Sequence, residues 1–453
     1  MVVSFTALMR WYNDDARLAD TGSLQTGIAQ MTQFFTLTTI VLVLSSTALA
    51  SDWPWIYGPK RDNTSDQRGL LRSWPAGGPK TLWTVPLGAG FGGPAVSGGK
   101  VYLLDRDEQV GDKLRVFDLT NGKELWSFAY DAPGTFMFAG SRTTPTVEGE
   151  HVYTVGPLGD LYAINTNTQK PAWHRNIWKD FGGGELPRWA IVQNPLIYRN
   201  FVVVAPQTSQ AGVVAYDKST GELKWKSAPL SGIPGYVTPS IVKVGGDDHL
   251  VMITAATGRG RTARDGSVVG LDPLSGKFLW TYTNWQCIIP VPQAVDAGED
   301  RVLIAGGYGA GSSLIKVEKK ANGSYDVTEL FKNPDFGAHT QPPILHGGHF
   351  YSQYTINERS DGLVVMGLDG RVKWKTDQQP PFVRGGSILA ENLLLASDGN
   401  TKLYLIDPNP SGFKPLASAV VLEPGDNWAP LALVDGKLLI RGQKELKVLQ
   451  VAQ

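Results

Sequence analysis

Residues 212–226, Gly-Val-Val-Ala-Tyr-Asp-Lys-Ser-Thr-Gly-Glu-Leu-Lys-Trp-Lys, decide the fold. Val213 to Tyr216 are apolar and β-prone. Asp217 to Gly221 is turn chemistry, with an aspartate able to bond the backbone ahead of it and a glycine free to take positive φ. Leu223 and Trp225 follow two apart, so both side chains point to one face of a second strand. The segment reads as a β-hairpin closed by a tryptophan.

The hairpin recurs as Asp118-x3-Gly122-x3-Trp126, Asn165-x3-Gln169-x3-Trp173 and Asp272-x3-Gly276-x3-Trp280. Later copies decay: Phe331 stands in for tryptophan after a longer hairpin, Asp369-Gly370 makes a shorter turn before Trp374, and Asp407 to Leu416 keeps only the turn. A second marker runs out of phase with the first. Short strands open on Pro94, Pro145, Pro195, Pro239, Pro292, Pro343, Gly386 and Pro430, each followed by apolar residues. Between the two markers lies a further β-rich run such as Lys100–Leu103, Phe201–Val204 or Lys437–Ile440.

Each module is therefore four strands joined by short turns, and four-stranded modules of about 45 residues are propeller blades. Residues 81–453 divide into eight of them. The last module ends one strand short, while Thr81-Leu82-Trp83-Thr84-Val85 precedes the first module and has none of its own. The spacing predicts an all-β, eight-bladed propeller closed by the strand at Trp83, which removes two exposed sheet edges. Residues 51–80, with Trp53, Trp55 and Trp74 among prolines and glycines, read as an irregular lead-in packed on the outside of the ring.

The 453-residue chain has no net charge and no basic cluster, which argues against nucleic acid or an anionic membrane as partner. Its single cysteine, Cys287, excludes an intrachain disulfide, a Cys-x-x-Cys-His haem site and a multi-cysteine zinc site, and reads as a small buried residue. Phe34 to Ser46 is a short apolar run ending in Ala48-Leu49-Ala50, the small residues a signal peptidase reads. Residues 1–30 fit no targeting pattern. We therefore expect Met31 as the true start, residues 31–50 as a signal peptide cleaved after Ala50, and a periplasmic or secreted monomer whose mature chain has no membrane span.

The repeated Asp-x3-Gly-x3-Trp hairpin resembles the tryptophan-docking motif of pyrroloquinoline quinone (PQQ)-type β-propellers, a family that holds quinoprotein dehydrogenases and the non-catalytic assembly lipoprotein BamB. On that resemblance Trp83, Trp126, Trp173, Trp225, Trp280, Phe331 and Trp374 are structural docking residues. The lead-in from Asp52-Trp53-Pro54-Trp55 to Gly58-Pro59-Lys60-Arg61-Asp62-Asn63 is similar to secreted planctomycete-type members. So are Arg142-Thr143-Thr144-Pro145, Phe181-Gly182-Gly183, Pro187-Arg188-Trp189 and Trp428-Ala429-Pro430. The resemblance implies fold more than activity.

In a propeller the connections into the inner strands ring one mouth of the central channel. The residues just before those strands are Phe91, Arg142, Trp189, Tyr236, Trp285, His339, Arg384 and Trp428. Aromatic faces stack on flat or saccharide-like ligands, and arginine pairs with carboxylate or phosphate. The alternative is that these side chains only fill gaps between blades. Dehydrogenases of the family carry an adjacent-cysteine disulfide and a calcium held by Glu, Asn and Asp. One cysteine cannot make the former, and Glu185, Asn194 and Asn284 are the only nearby candidates for the latter. The expectation is a binding or scaffold module for a cell-envelope protein or a small anionic or saccharide-like ligand, with no cofactor. A PQQ- and calcium-dependent alcohol or sugar dehydrogenase is the alternative.

Weaker motifs are His346-Gly347-Gly348-His349 and Asp105-x-Asp107-Glu108 as metal ligands, Gly182-Gly183-Gly184 as a phosphate cradle, and the sequons at Asn63 and Asn322.

Overall fold

The computed structural model describes residues 52–453 except 259, 357 and 358. The expected start at Met31 and the signal peptide over 31–50 lie outside the described residues. Among the described residues, no helix is long and apolar enough to cross a membrane.

The strands form eight antiparallel blades around a ring. Blades 1 to 7 are sequential four-stranded meanders whose inner strands are Ala95–Ser97, Thr146–Glu148, Leu196–Tyr198, Ser240–Val244, Val295–Asp296, Ile344–His346 and Ser387–Ala390. Blade 8 takes its three inner strands from Ala432–Val434, Lys437–Arg441 and Glu445–Gln450, and its outer strand from Lys80–Pro86. The outer strand runs antiparallel, with Val85 opposite Leu446 and Trp83 opposite Val448. This is the predicted closure.

The recurring hairpin also joins neighbouring blades. In its turn, Asp217 Oδ1 accepts from the Ser219 and Thr220 amides and from both hydroxyls, which holds its carboxyl down at about 2. Gly221 has φ 68°, and a Cβ there would stand 2.6 Å from the Trp173 ring of the preceding blade. Gly276 meets Trp225, Gly122 meets Trp83 and Gly370 meets Phe331 in the same way. Trp83 and Trp173 each donate an indole N–H into the next blade's turn, to Leu119 O at 2.9 Å and Lys218 O at 3.1 Å, and Trp374 does so to Asn409 O at 2.9 Å. Each of these rings thus closes the joint to the following blade rather than its own hairpin. The following blade explains two departures. Beyond Trp126 the turn carries Gln169, at φ 60°, in place of glycine. Beyond Trp280 it is the longer Lys319–Tyr325 turn, and Trp280 donates instead to His249 Nδ1 of its own blade at 2.9 Å.

The lead-in does not lie outside the ring. Trp53 pairs with Val96 of blade 1, and Trp55 Nε1 donates to Val147 O of blade 2 at 3.1 Å. Arg61 Nη2 donates to Ile197 O of blade 3 at 2.7 Å, while Arg61 O accepts from Gln293 beside blade 5. Thr64–Ser65 then adds a parallel strand to the inner edge of blade 7. A segment bonded to the inner edges of blades on opposite sides of the ring crosses its central hole. The inner-strand edges carry unpaired amides and carbonyls, and this segment satisfies several of them. Trp53, 1% exposed, is the plug's largest buried side chain.

Candidate functional site

The lead-in meets the inner strands of blades 1 to 3 at their second residues, Val96, Val147 and Ile197. Above it a cavity of about 140 Å³ remains, with Ile56 and Tyr57 at its base. Seven of the eight residues singled out in the sequence line it: Phe91, Arg142, Trp189, Tyr236, His339, Arg384 and Trp428. Trp285 does not. It is 4% exposed, packs where Gly306 leaves room, and donates to Ala310 O at 3.1 Å. Its expected place is taken by Tyr308, from the turn after Gly306-Gly307, at φ 56°.

The rings form a belt. Trp428 to Phe91 is 5.3 Å, Phe91 to Phe138 is 5.8 Å, and Phe138 to Trp189 is 5.8 Å between centroids. Trp189 packs on Tyr236 at 5.0 Å and on Tyr308 at 6.2 Å, and Tyr308 reaches His339 at 4.5 Å. Phe138 enters from the blade 1 to blade 2 connection and wedges between Phe91, Trp189 and Trp428. That loop is pinned by guanidiniums: Arg106 Nη2 donates to Ala132 O and Gly134 O, Arg142 donates to Phe138 O and Gly140 O, and Phe136 lies against both cations.

The two arginines of the cavity differ. Arg142 is buried and bound to carbonyls, including Trp189 O at 3.0 Å, and burial lowers its pKa to about 10, so it stays charged. Arg384 is half-buried, holds φ 71°, and lies over the Trp428 ring at 4.7 Å. Among the described residues its side chain has no hydrogen-bond or ion-pair partner, and its Nε is a buried donor left unpaired. Trp189 Nε1 and Gln341 Oε1 are the other buried polar atoms of the lining without a partner. No carboxylate and no amine lines the cavity. Burial raises the pKa of both Tyr236 and Tyr308, keeping them neutral donors.

These residues do not suit calcium, which takes six to eight oxygens with carboxylates among them. Asn194 Oδ1 already accepts from Thr144 N at 2.6 Å. Glu185 is exposed outside the cavity, and Asn284 is exposed on the strand-4 side of blade 4 with its carbonyl bound to Lys332. Among the described residues no three His, Cys, Asp or Glu side chains are placed to hold a metal. Cys287 is 2% exposed, and burial pushes its thiol up to about 12.

The weaker motifs are occupied by structure. His346 and His349 face each other across a Gly-Gly turn. Asp105 pairs with Arg115 at 3.1 Å, Asp107 caps Gln109 N, and Glu108 Oε1 accepts from Gly140 N. Gly182 to Gly184 wraps Trp178, whose indole donates to Gly184 O. Asn63 is 1% exposed, and the Asn322 side chain caps Ser324.

The family model described as "Outer membrane protein assembly factor BamB" matches residues 63–260 and 146–364, together more than half of the chain. The quinohemoprotein alcohol dehydrogenase of Comamonas testosteroni is 24% identical over 324 residues, which is 58% of this chain and 44% of that protein. The outer membrane protein assembly factor BamB of Escherichia coli K12 is 30% identical over 108 residues, 22% of this chain and 26% of that protein. The matched segments thus span less than half the length of these relatives. Among solved structures, the same Comamonas dehydrogenase aligns with a TM-score of 0.61 at 15% identity, over 89% of this chain and 81% of that one. BamB of Moraxella catarrhalis aligns with a TM-score of 0.53 at 13% identity, over 82% of this chain and 97% of that one. At such identities the likeness is one of fold. With the matched family model, the docking tryptophans and the eight closed blades together, the chain belongs to the BamB family of PQQ-like β-propellers.

Proposed function

We propose that the protein is an exported binding module whose funnel captures an anionic group, carried by a small flat ligand or by a segment of a cell-envelope protein. The observation that carries this reading is Arg384. It is a guanidinium without a counter-charge among the described residues, held in left-handed backbone over an indole, in a cavity without a carboxylate. Unpaired buried donors are costly, and strained backbone concentrates at functional sites. Trp189 Nε1 adds a second donor and the aromatic belt adds faces for stacking.

The test is thermal melting and calorimetry with benzoate and its neutral isostere benzamide. Benzoate is expected to bind and to raise the melting temperature by mass action, benzamide far less, and Arg384→Gln is expected to abolish the difference. Equal behaviour of the two probes would remove the anion reading.

A PQQ-dependent alcohol or sugar dehydrogenase is the second reading, favoured by the match to the Comamonas alcohol dehydrogenase. Against it stand a lining without a carboxylate and a cavity smaller than the roughly 300 Å³ at which ligand pockets begin. Dye reduction with alcohols and aldoses after loading with PQQ and calcium would establish it. No reduction and no shift in melting would end it.

A further inference from the structure

A second, larger cleft of about 690 Å³ opens beside the funnel cavity. Trp189 and Tyr236 belong to the linings of both. The Trp189 backbone is held from each side, its amide donating to Tyr236 Oη at 3.3 Å and its carbonyl accepting from Arg142 Nε at 3.0 Å. Its ring belongs to both spaces.

The funnel side is cationic. The far side carries an aliphatic patch of Ile233, Ile288 and Ile289, with Ile233 47% exposed, among polar residues. Three of the uncharged polar side chains there, Gln207, Thr208 and Thr257, are already bonded within the protein. Gln207 clamps Gly235 through both its amide nitrogen and its oxygen. Thr208 Oγ1 donates to Phe181 O at 2.8 Å, and Thr257 Oγ1 to Asp265 Oδ2 at 2.7 Å. Aliphatic side chains would gain by covering this isoleucine patch. At the rim, Glu185 and Arg188 are exposed and have no ion-pair partner among the described residues, and charges of both signs suit a polypeptide better than a lipid tail.

The funnel cavity alone is below the size of an ordinary ligand site, and the cleft is within the range of about 300–1,000 Å³. We infer that the two are one site for an extended peptide of a partner protein, with an acidic side chain or C-terminal carboxylate at Arg384 and the adjoining aliphatic side chains in the cleft on Ile233. This rests on the funnel taking an anion, as proposed above. Peptides with one acidic group and neighbouring aliphatic residues are the ligand class. Backbone groups and the Trp189 face carry the chain between the two halves.

The experiment is selection of a randomised hexapeptide library with free C termini against the immobilised protein, followed by calorimetry of the recovered peptides. Enrichment of an acidic group next to leucine, isoleucine or valine is expected. Ile233→Asp, at an exposed position, is expected to weaken those peptides at least tenfold while benzoate binds as before and the melting temperature holds. Arg384→Gln should weaken both ligands. If benzoate binds but no such peptides emerge, or if Ile233→Asp leaves their affinity unchanged, the two-part site is refuted and the funnel reading survives. If dodecanoate or maltohexaose competes with benzoate and depends on Ile233 where peptides do not, the peptide class is wrong. If benzoate itself fails to bind, the anion reading falls first and the inference with it.

Discussion

The guanidinium carbon of Arg384 lies 4.7 Å from the centre of the Trp428 ring, and the arginine holds φ 71° to put it there. A cation over an aromatic face at a partly exposed site is worth about 0.5–1 kcal/mol. A non-glycine residue in left-handed backbone costs on the order of 1 kcal/mol or more, and asparagine tolerates that conformation best. The two effects nearly cancel. Arg384→Asn is expected to leave unfolding free energy within about 1 kcal/mol of wild type while removing benzoate binding. A large loss of stability in denaturant titration would make Arg384 a structural residue.

Arg441 makes the opposite case. It is 1% exposed, at the end of the second strand of blade 8, and donates to Gly92 O, Leu104 O, Ser141 Oγ, Gly88 O and Ala89 O. It ties the last blade to the first, and Asp105 stands 3.9 Å away. Arg441→Met would strand those acceptors in the interior, and breaking a buried, paired charge costs about 3–5 kcal/mol. A loss below about 1 kcal/mol in guanidinium chloride unfolding would contradict the latch.

The docking turns give a paired comparison. Gly98 and Gly221 both hold positive φ, 57° and 68°, but a Cβ at Gly98 meets nothing within 4 Å while one at Gly221 would strike the Trp173 ring at 2.6 Å. Gly98→Ala should cost about 1 kcal/mol for backbone strain alone. Gly221→Ala should cost at least about 1 kcal/mol more, with a change in tryptophan fluorescence. Equal costs would show that the ring does not need the glycine.

Asp112 supplies a pH dependence. Its carboxylate is fully buried 3.0 Å from Arg106, with Tyr130 beside it and Asp160 adding repulsion. Burial pushes its pKa up to about 6 against the pull of Arg106. Between the ordinary carboxylate value, about 3.9, and 6 the folded chain therefore holds a proton that the unfolded chain has released. The stability from this group is full below that window and is lost as pH rises through about 6. From pH 7 to pH 5 the wild type is expected to gain about 1 kcal/mol relative to Asp112→Asn. Parallel pH profiles for the two proteins would refute the assignment.

Blade number and closure were legible because both leave periodic marks: a proline before each early inner strand, a tryptophan after each early turn, and one orphan strand at Trp83 facing a sheet that ends at Gln450. The position before each inner strand is a topological address, so seven of the residues there converge on one cavity whatever their role. Trp285 had the address but not the direction, because Gly306 opens a buried slot for its ring. Phe138 and Tyr57 had no address at all. They sit in connections without period, and only the guanidiniums of Arg106 and Arg142 and the edges of the inner strands put them in place. For the same reason the lead-in was misplaced: its prolines and glycines show irregular backbone, but not that the channel edges would need its hydrogen bonds.

The pairing of Val85 with Leu446 also bears on the order of assembly. Blades 1 to 7 are each complete within a continuous run of chain and can form as soon as that run is available, needing only a neighbour to lean on. The eighth cannot form until the distant run Glu445–Gln450 is available, and until then the Trp83 segment stays a lone hydrogen-bonding edge. Sealing the circle thus joins runs more than 350 residues apart, and until it happens an open sheet edge is exposed to another copy of the chain.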